Sequence, residues 1–430
     1  MVFTKIGEWY SPKCENAILQ NTGAVGMITK EELRNVIARQ RQYEKQRNIG
    51  QKRMLEFNEA LLSSHALDIT GVRRCGKSTL LTQRMRDLDE DWFFLNFESP
   101  QLTSLELRDT GRLDALIEES GTHNLFFDEV DQFNGWEHYV RQKLDEGYRI
   151  CLTGSNASLL EGELGTKLTG RHISRELFPF DYQEYLIFTH QLPGLESTHA
   201  YMRQGGFPRY LQVMDESIFW ELYDDIVYRD VIVHNGIREV ESLRKLVAYL
   251  IENIGCRFTA SKMLESLSVS CASTVSQWCD WLEKAFMFFF IPIFSDSVKK
   301  QLLNPRKVYC IDTGLEYAIS SRRIPNDGMR FENMVFLALR RHFRNIYYYN
   351  GKGECDFVVC DRHAVCMAVQ ACTNVTQDDM EREFNGLREA MKMFGLQEGF
   401  VVTENQEDSF DFAEGRIRLM PFRQFTTMLG

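Results

Sequence analysis

No run of about 18 apolar residues occurs in the 430-residue chain, so no membrane-spanning helix is expected. The opening stretch from Met1 to Trp9 lacks the apolar core of a signal peptide, and a cytoplasmic location follows as the expectation. The 11 cysteines are odd in number and scattered, and no two stand at C-x-x-C spacing. That argues against a disulfide framework and against a structural zinc site. Cys355, Cys360, Cys366 and Cys372 crowd together, which suits small buried strand residues better than metal ligands. Positive charge is not in excess either: the formal net charge is −11, so nucleic acid could be held only by a local patch. What is present, 44% hydrophobic and 26% charged residues, fits a soluble globular protein with two to four cores.

Against this background one stretch carries chemistry. Gly71-Val72-Arg73-Arg74-Cys75-Gly76-Lys77-Ser78 reads G-x-x-x-x-G-K-S between an apolar run, Ala66 to Thr70, and a Gly- and Pro-free segment that opens at Thr79. Strand, loop and helix are the context this phosphate-cradling pattern requires. Gly71 and Gly76 let the backbone wrap so that successive N–H groups face phosphate oxygens. The helix that follows adds the positive end of its dipole. Residues Gly71 to Thr79 are therefore the expected nucleotide contacts. Lys77 reaches the β- and γ-phosphates, and Ser78 offers a hydroxyl to Mg²⁺.

About fifty residues on, Asn124-Leu125-Phe126-Phe127 runs into Asp128-Glu129, as a central parallel strand does when its carboxyl end meets a site. Asp128 is the expected Mg²⁺ partner and Glu129 the residue that polarises attacking water. A further apolar run, Tyr148 to Thr153, ends in Gly154-Ser155-Asn156. Ser155 and Asn156 either sense the γ-phosphate and help place the water, or cap a following helix. Asn96, near the end of the aromatic strand Asp91 to Phe97, is expected to contact Glu129 as a switch. No N-K-x-D element that would read guanine appears, which favours ATP.

These motifs, with Phe127-Asp128-Glu129, Thr153-Gly154-Ser155, Leu168-Thr169-Gly170-Arg171, Gly205-Gly206-Phe207-Pro208, Tyr228-Arg229-Asp230 and Lys307 to Leu315, resemble in their order the archaeal and bacterial AAA-type ATPases that carry a C-terminal domain of unknown function. The likeness covers roughly residues 50 to 420. It implies an α/β P-loop ATPase core over residues 51–185 after an N-terminal helical extension (1–50), a helical lid (186–238), a winged helix (239–320) and a restriction-endonuclease-like α/β domain (321–430). It also implies that Arg171 is an arginine finger, serving a neighbouring subunit of a homo-oligomer or its own site, and that Pro208 lies in the lid near the adenine. A rigid turn explains the Gly206-x-Pro208 pair equally well.

The N-terminal segment from Thr29 to Leu55 reads as a charged helix, capped by Thr29 with Glu32, whose Arg and Lys residues are read as a solvated face in preference to a phosphate- or partner-binding arm. In the C-terminal half, Leu243, Leu246, Leu250 and Ile254 hold helical spacing, and short polar turns lead to a helix opening near Ser273. Ser273, Thr274, Ser276 and Gln277 are placed to touch base edges. No Lys or Arg falls between Lys262 and Lys284, however, so packing or oligomer contact is the competing use. Lys299, Lys300, Arg306 and Lys307 supply the cations that keep DNA a candidate partner, beside a protein. In the last domain Asp356 and Glu332 match two acids of a nuclease box. The Glu-x-Lys position reads Gln370-Ala371-Cys372, which provides neither the anion for a metal nor the ammonium. Phosphodiester cleavage is therefore not expected.

Overall fold

A computed structural model describes residues 28–55, 59–154, 170–322, 326–362 and 364–430. The chain begins with α1 (Lys30–Gln46), closed by a capping box in which Glu32 N–H donates to Thr29 Oγ1 and the Glu32 carboxylate accepts from Thr29 N–H. The helix stops at Gln46 and does not continue to Leu55. Gln83 explains the difference. Its amide binds the backbone carbonyls of Ile49 and Gln51 at 2.7 Å and accepts from Arg53 N–H, drawing that backbone into an irregular strap over the next helix.

The sheet that follows is formed by β1 (Ala66–Thr70), β2 (Phe93–Asn96), β3 (Asn124–Asp128), β4 (Arg149–Thr153) and β5 (His172–Glu176), all parallel, in the order β2-β3-β4-β1-β5. Every residue of β1 and β3 is buried, as strands covered on both faces must be. Alternate side chains enter two cores. Leu67, Ile69, Phe94 and Phe126 meet α2 (Lys77–Asp87) on one face. Leu95, Leu125, Phe127 and Leu152 share the other face with α3 (Thr110–Ser120), α4 (Trp136–Asp145) and, through Leu33 and Val36, α1. So α1 belongs to the layered sheet domain instead of projecting from it. β5, whose sequence His-Ile-Ser-Arg-Glu is half-buried along its length, has no apolar run to announce it.

Four short helices come next: α5 (Tyr182–Thr189), α6 (Leu195–Gln204), α7 (Pro208–Val213) and α8 (Ser217–Asp224). The last runs into a nine-residue π-helix, Asp225–Val233. Then come α9 (Val240–Glu252), β6 (Arg257–Phe258), α10 (Leu264–Leu267), α11 (Ala272–Lys284), β7 (Phe288–Ile291), α12 (Val298–Leu303), β8 (Arg306–Cys310) and α13 (Thr313–Ile319). The strands form a three-stranded antiparallel sheet ordered β6-β8-β7. On α11, Ser273 and Gln277 are exposed while Val275, Trp278 and Leu282 are buried. A final α14 (Asp327–His342) precedes a six-stranded mixed sheet of β9 (Asn345–Asn350), β10 (Glu354–Asp361), β11 (Ala364–Ala371), β12 (Glu398–Thr403), β13 (Asp408–Phe412) and β14 (Gly415–Pro421). One apolar core runs from β1 through Phe207 and Leu246 to Phe289 and Phe336, joining the sheet domain to the C-terminal half.

Of the four cations that follow α11, two are engaged within the protein. Arg306 lies over the Phe290 ring at 4.8 Å. Lys307 is 3% exposed and its Nζ lies 2.8–3.0 Å from Glu332, Glu354 and Asp356. β8 thus carries an ammonium to Asp356 and Glu332. Burial pushes the Lys307 pKa down, and the surrounding carboxylates outweigh it, holding the group above its ordinary value. Tyr309 Oη donates to Glu332 at 2.7 Å, and Asp356 also accepts from Ala371 N–H at 3.0 Å. Removing the cation would leave the buried Asp356 and the half-buried Glu332 and Glu354 facing one another. Lys307→Met is expected to destabilise the protein by about 3–5 kcal/mol, read as a lowered denaturant midpoint with the six-stranded sheet the first to lose protease resistance.

Candidate functional site

The phosphate loop leaves the carboxyl end of β1 and turns into α2. Its glycines are sterically required. At Gly71 (φ +147°) a Cβ would sit 2.1 Å from Leu177 O, and at Gly76 (φ +109°) one would lie 3.0 Å from the Arg53 guanidinium. No side chain caps the start of α2, so its first N–H groups are left for an anion. Lys77 is buried, with Nζ donating to the loop's own carbonyls, Gly71 O at 3.0 Å and Val72 O at 3.3 Å. The buried thiol of Cys75 is held above its ordinary pKa by desolvation and takes a packing role.

Two carboxylates lie at the end of β3, the strand separated from β1 by β4. Asp128 Oδ1 accepts from Ser78 Oγ at 3.0 Å and from Thr153 Oγ1 at 2.5 Å, and Oδ2 accepts from Asn96 Nδ2 at 2.9 Å. Burial and the neighbouring Glu129 charge push the Asp128 carboxyl up to about 6, against the hydrogen bonds and Lys77 that favour its ionised form. Glu129 adopts a left-handed backbone (φ +50°), and its N–H donates to Thr153 Oγ1 at 3.1 Å. The paired hydroxyl and carboxylate of Ser78 and Asp128 are the hard oxygen donors a Mg²⁺ ion takes. With the glycine cradle and the uncapped helix start, the residues present fit a Mg²⁺-nucleotide.

The structure corrects several sequence expectations. Asn96 contacts Asp128, not Glu129, because β2 and β3 pair Asn96 with Asp128 in register. Thr153 is the polar strand-end side chain that reaches the two acids, while Ser155 and Asn156 lie outside the described residues. Thr153 was open to detection as the last residue of its apolar strand, directly beside β3. Arg47 and Arg53 are not a solvated face. Arg47 reaches Ser78 O and Thr79 Oγ1 at 3.4 Å. Arg53, 3% exposed at its side chain, donates to Cys75 O and Phe178 O at 2.7 Å and pairs with Glu184 at 2.8 Å. Partners so distant in sequence left no local signal.

Arg171 stands before β5, its carbonyl accepting from Ala66 N–H at the start of β1. It pairs with Asp145 and donates to Ser64 O at 3.2 Å. The length of β1 separates it from its own phosphate loop, roughly 15 Å at about 3.3 Å per residue. Pro208 opens α7. The glycines before it are set by packing: Gly206 N–H donates to Asp312 Oδ2 at 2.6 Å, and a Cβ there would meet Phe180 O at 2.1 Å. Facing Ser78 and Asp128 is an open cleft of about 750 Å³, walled by Arg39 and Gln40 of α1, by Arg47 just past its end and by Arg229 of the π-helix.

Residues 63–186 match the AAA domain family, and residues 195–325 match a domain of unknown function (DUF8612). An uncharacterised protein of Haemophilus influenzae is 30% identical over 296 residues, covering 64% of this chain and 74% of that one. The chain belongs to the AAA-type P-loop ATPases. An uncharacterised protein of Methanocaldococcus jannaschii shares 29% identity with this AAA protein over 82% of the chain and 86% of its own length. A RuvB structure from Thermotoga maritima aligns with 64% of this chain and 93% of its own at 16% identity, with a TM-score of 0.28, too loose to carry an argument. Among the described residues of this AAA protein no helix is long and apolar enough to cross a membrane.

Thr153 holds both acids of the site at once. Thr153→Val keeps the shape and leaves the Glu129 N–H without its acceptor. A cost of about 1–3 kcal/mol is expected, seen as a lower Tm, with a larger proportional loss of nucleotide hydrolysis than of nucleotide binding.

Proposed function

We propose that this chain is a Mg²⁺-dependent ATP hydrolase in which turnover alters the contact between the phosphate loop and the helical lid, and so acts on a nucleic-acid or protein partner held by the C-terminal half. The observation that supports this reading is the convergence of Ser78, Asp128 and Glu129 at the open start of α2, with Thr153 bridging the two acids. The loop N–H groups and Lys77 hold the phosphates, Lys77 exchanging the Gly71 and Val72 carbonyls for phosphate oxygens. Ser78 and Asp128 hold Mg²⁺, which when bound offsets charge on the phosphate oxygens. Glu129, turned outward by its left-handed backbone, orients and polarises water. Arg171 serves the site of a second copy, which makes a homo-oligomer the active form.

The C-terminal half is a partner-binding region on this reading, not a nuclease, since the Lys307 ammonium occupies the centre of the acids a metal would need. DNA is supported by exposed Ser273 and Gln277 on α11 and exposed Lys299 and Lys300 on α12. A protein partner is supported by the scarcity of other cations on α11 and by Val298, Leu302 and Leu303 of α12, which are 68%, 79% and 72% exposed.

Measuring ATP hydrolysis at fixed salt, with and without duplex DNA, tests both levels of this reading. Glu129→Gln is expected to bind ATP and lose about 10²–10⁴-fold in kcat, and Lys77→Ala to lose binding. Absence of hydrolysis by wild type would overturn the enzyme reading, and indifference to DNA would leave the protein partner. Because Mg²⁺ needs the ionised Asp128, Mg²⁺-nucleotide affinity is expected to be level above about pH 7 and to fall as pH drops through about 6, followed by calorimetry.

A further inference from the structure

Two variable positions of the phosphate loop are arginines, and both are held by acids of the lid. Arg73 makes a two-pronged pair with Asp230, Nε to Oδ2 at 3.1 Å and Nη2 to Oδ1 at 2.9 Å. The side chains are 17% and 12% exposed, so this is not a solvent-screened surface contact. Arg74, in a left-handed backbone (φ +63°), pairs with Asp225 at 2.7 Å and Glu221 at 3.3 Å. Glu221 lies on α8, and Asp225 and Asp230 lie on the π-helix that continues it. Glu98 stands 3.8 Å from both Arg73 and Arg229.

A guanidinium presents a fixed fork, and the edge given to Asp230 cannot at the same time be given to a phosphate. A polyphosphate placed in this loop also brings several negative charges beside Asp230, Glu98 and Glu129. Burial lowers the Arg73 pKa, but Asp230 first, then Glu129 and Glu98, raise it overall, so Arg73 stays charged while these acids share it. We propose that Asp230 and the nucleotide phosphates compete for Arg73, making the Arg73–Asp230 pair a latch that holds the lid on the phosphate loop until nucleotide displaces it. This rests on the nucleotide-binding reading of the loop and adds what that reading lacks, a route by which occupancy reaches the lid. Coupling of this kind is reciprocal: weakening the latch from the lid side, which leaves Arg73 free for phosphate, tightens nucleotide binding.

The test is ATP and ADP affinity by calorimetry on the full chain: wild type, Asp230→Asn, Arg73→Gln, the double variant and Arg73→Lys. Asp230→Asn is expected to bind ATP about 5- to 10-fold more tightly. Arg73→Gln should bind more weakly and abolish the effect of Asp230→Asn in the double variant. Arg73→Lys, which keeps the charge and loses the fork, should fall between wild type and Arg73→Gln; if Asp230→Asn does not fold, the latch is judged on this variant, and wild-type affinity in it refutes the fork. Unchanged or weaker ATP binding by folded Asp230→Asn overturns the latch while leaving the nucleotide site intact. No binding by wild type at all overturns the nucleotide reading instead.

Discussion

Asp128 is buried away from water, and a carboxylate there is tolerated only because three donors converge on it: Ser78 from the phosphate loop's helix, Thr153 from β4 and Asn96 from β2. Each donor comes from a different element, so the carboxylate sets the registration of the loop's helix against three adjacent strands. The cost of burying the charge, visible as a carboxyl pushed up to about 6, is what a divalent cation would relieve. Much of the domain's architecture follows from this one centre. α1 is fixed to β2 by Gln40, whose amide pairs with the N–H and C=O of Asn96 as a neighbouring strand would. Asn96 in turn holds Asp128.

A second set of charges ties the loop to the rest of the chain. Arg53 joins the Cys75 carbonyl to Glu184, and Arg73 and Arg74 join the loop to the lid. The phosphate loop is thus gripped from the N-terminal strap on one side and the lid on the other. One apolar core continues from β1 past these helices to α11 and the six-stranded sheet. Lys307 and its three carboxylates fasten that sheet to β8.

The site was legible in sequence wherever chemistry demands a fixed local order of residues. Gly71, Gly76, Lys77 and Ser78 must be neighbours because one turn of backbone and one helix start hold the phosphates. Asp128 and Glu129 must follow a fully apolar strand because a central strand delivers them. The capping box of α1 is equally local. By contrast, β5 was not legible, since a half-buried edge strand with the sequence His-Ile-Ser-Arg-Glu has no run of apolar residues. The end of α1 was misplaced because the side chain of Gln83, more than thirty residues away, decides it.

By itself, then, the sequence determined a P-loop ATPase sheet, its phosphate loop and its acidic strand end, because each is written in contiguous residues with backbone requirements of their own. Tertiary structure alone decided which polar side chains complete the site. Thr153 was chosen by the neighbouring register of β3 and β4, and Asn96 by its register with β3. Arg171 was carried to the far end of the sheet by the position of β5. Lys307 was delivered to the acids of α14 and β10 by a strand of another sheet, and Arg73 to Asp230 by the packing of the lid. These partners are separated by 24 to 157 residues along the chain, and a charge finds such a partner only once the strands and helices between them have been packed.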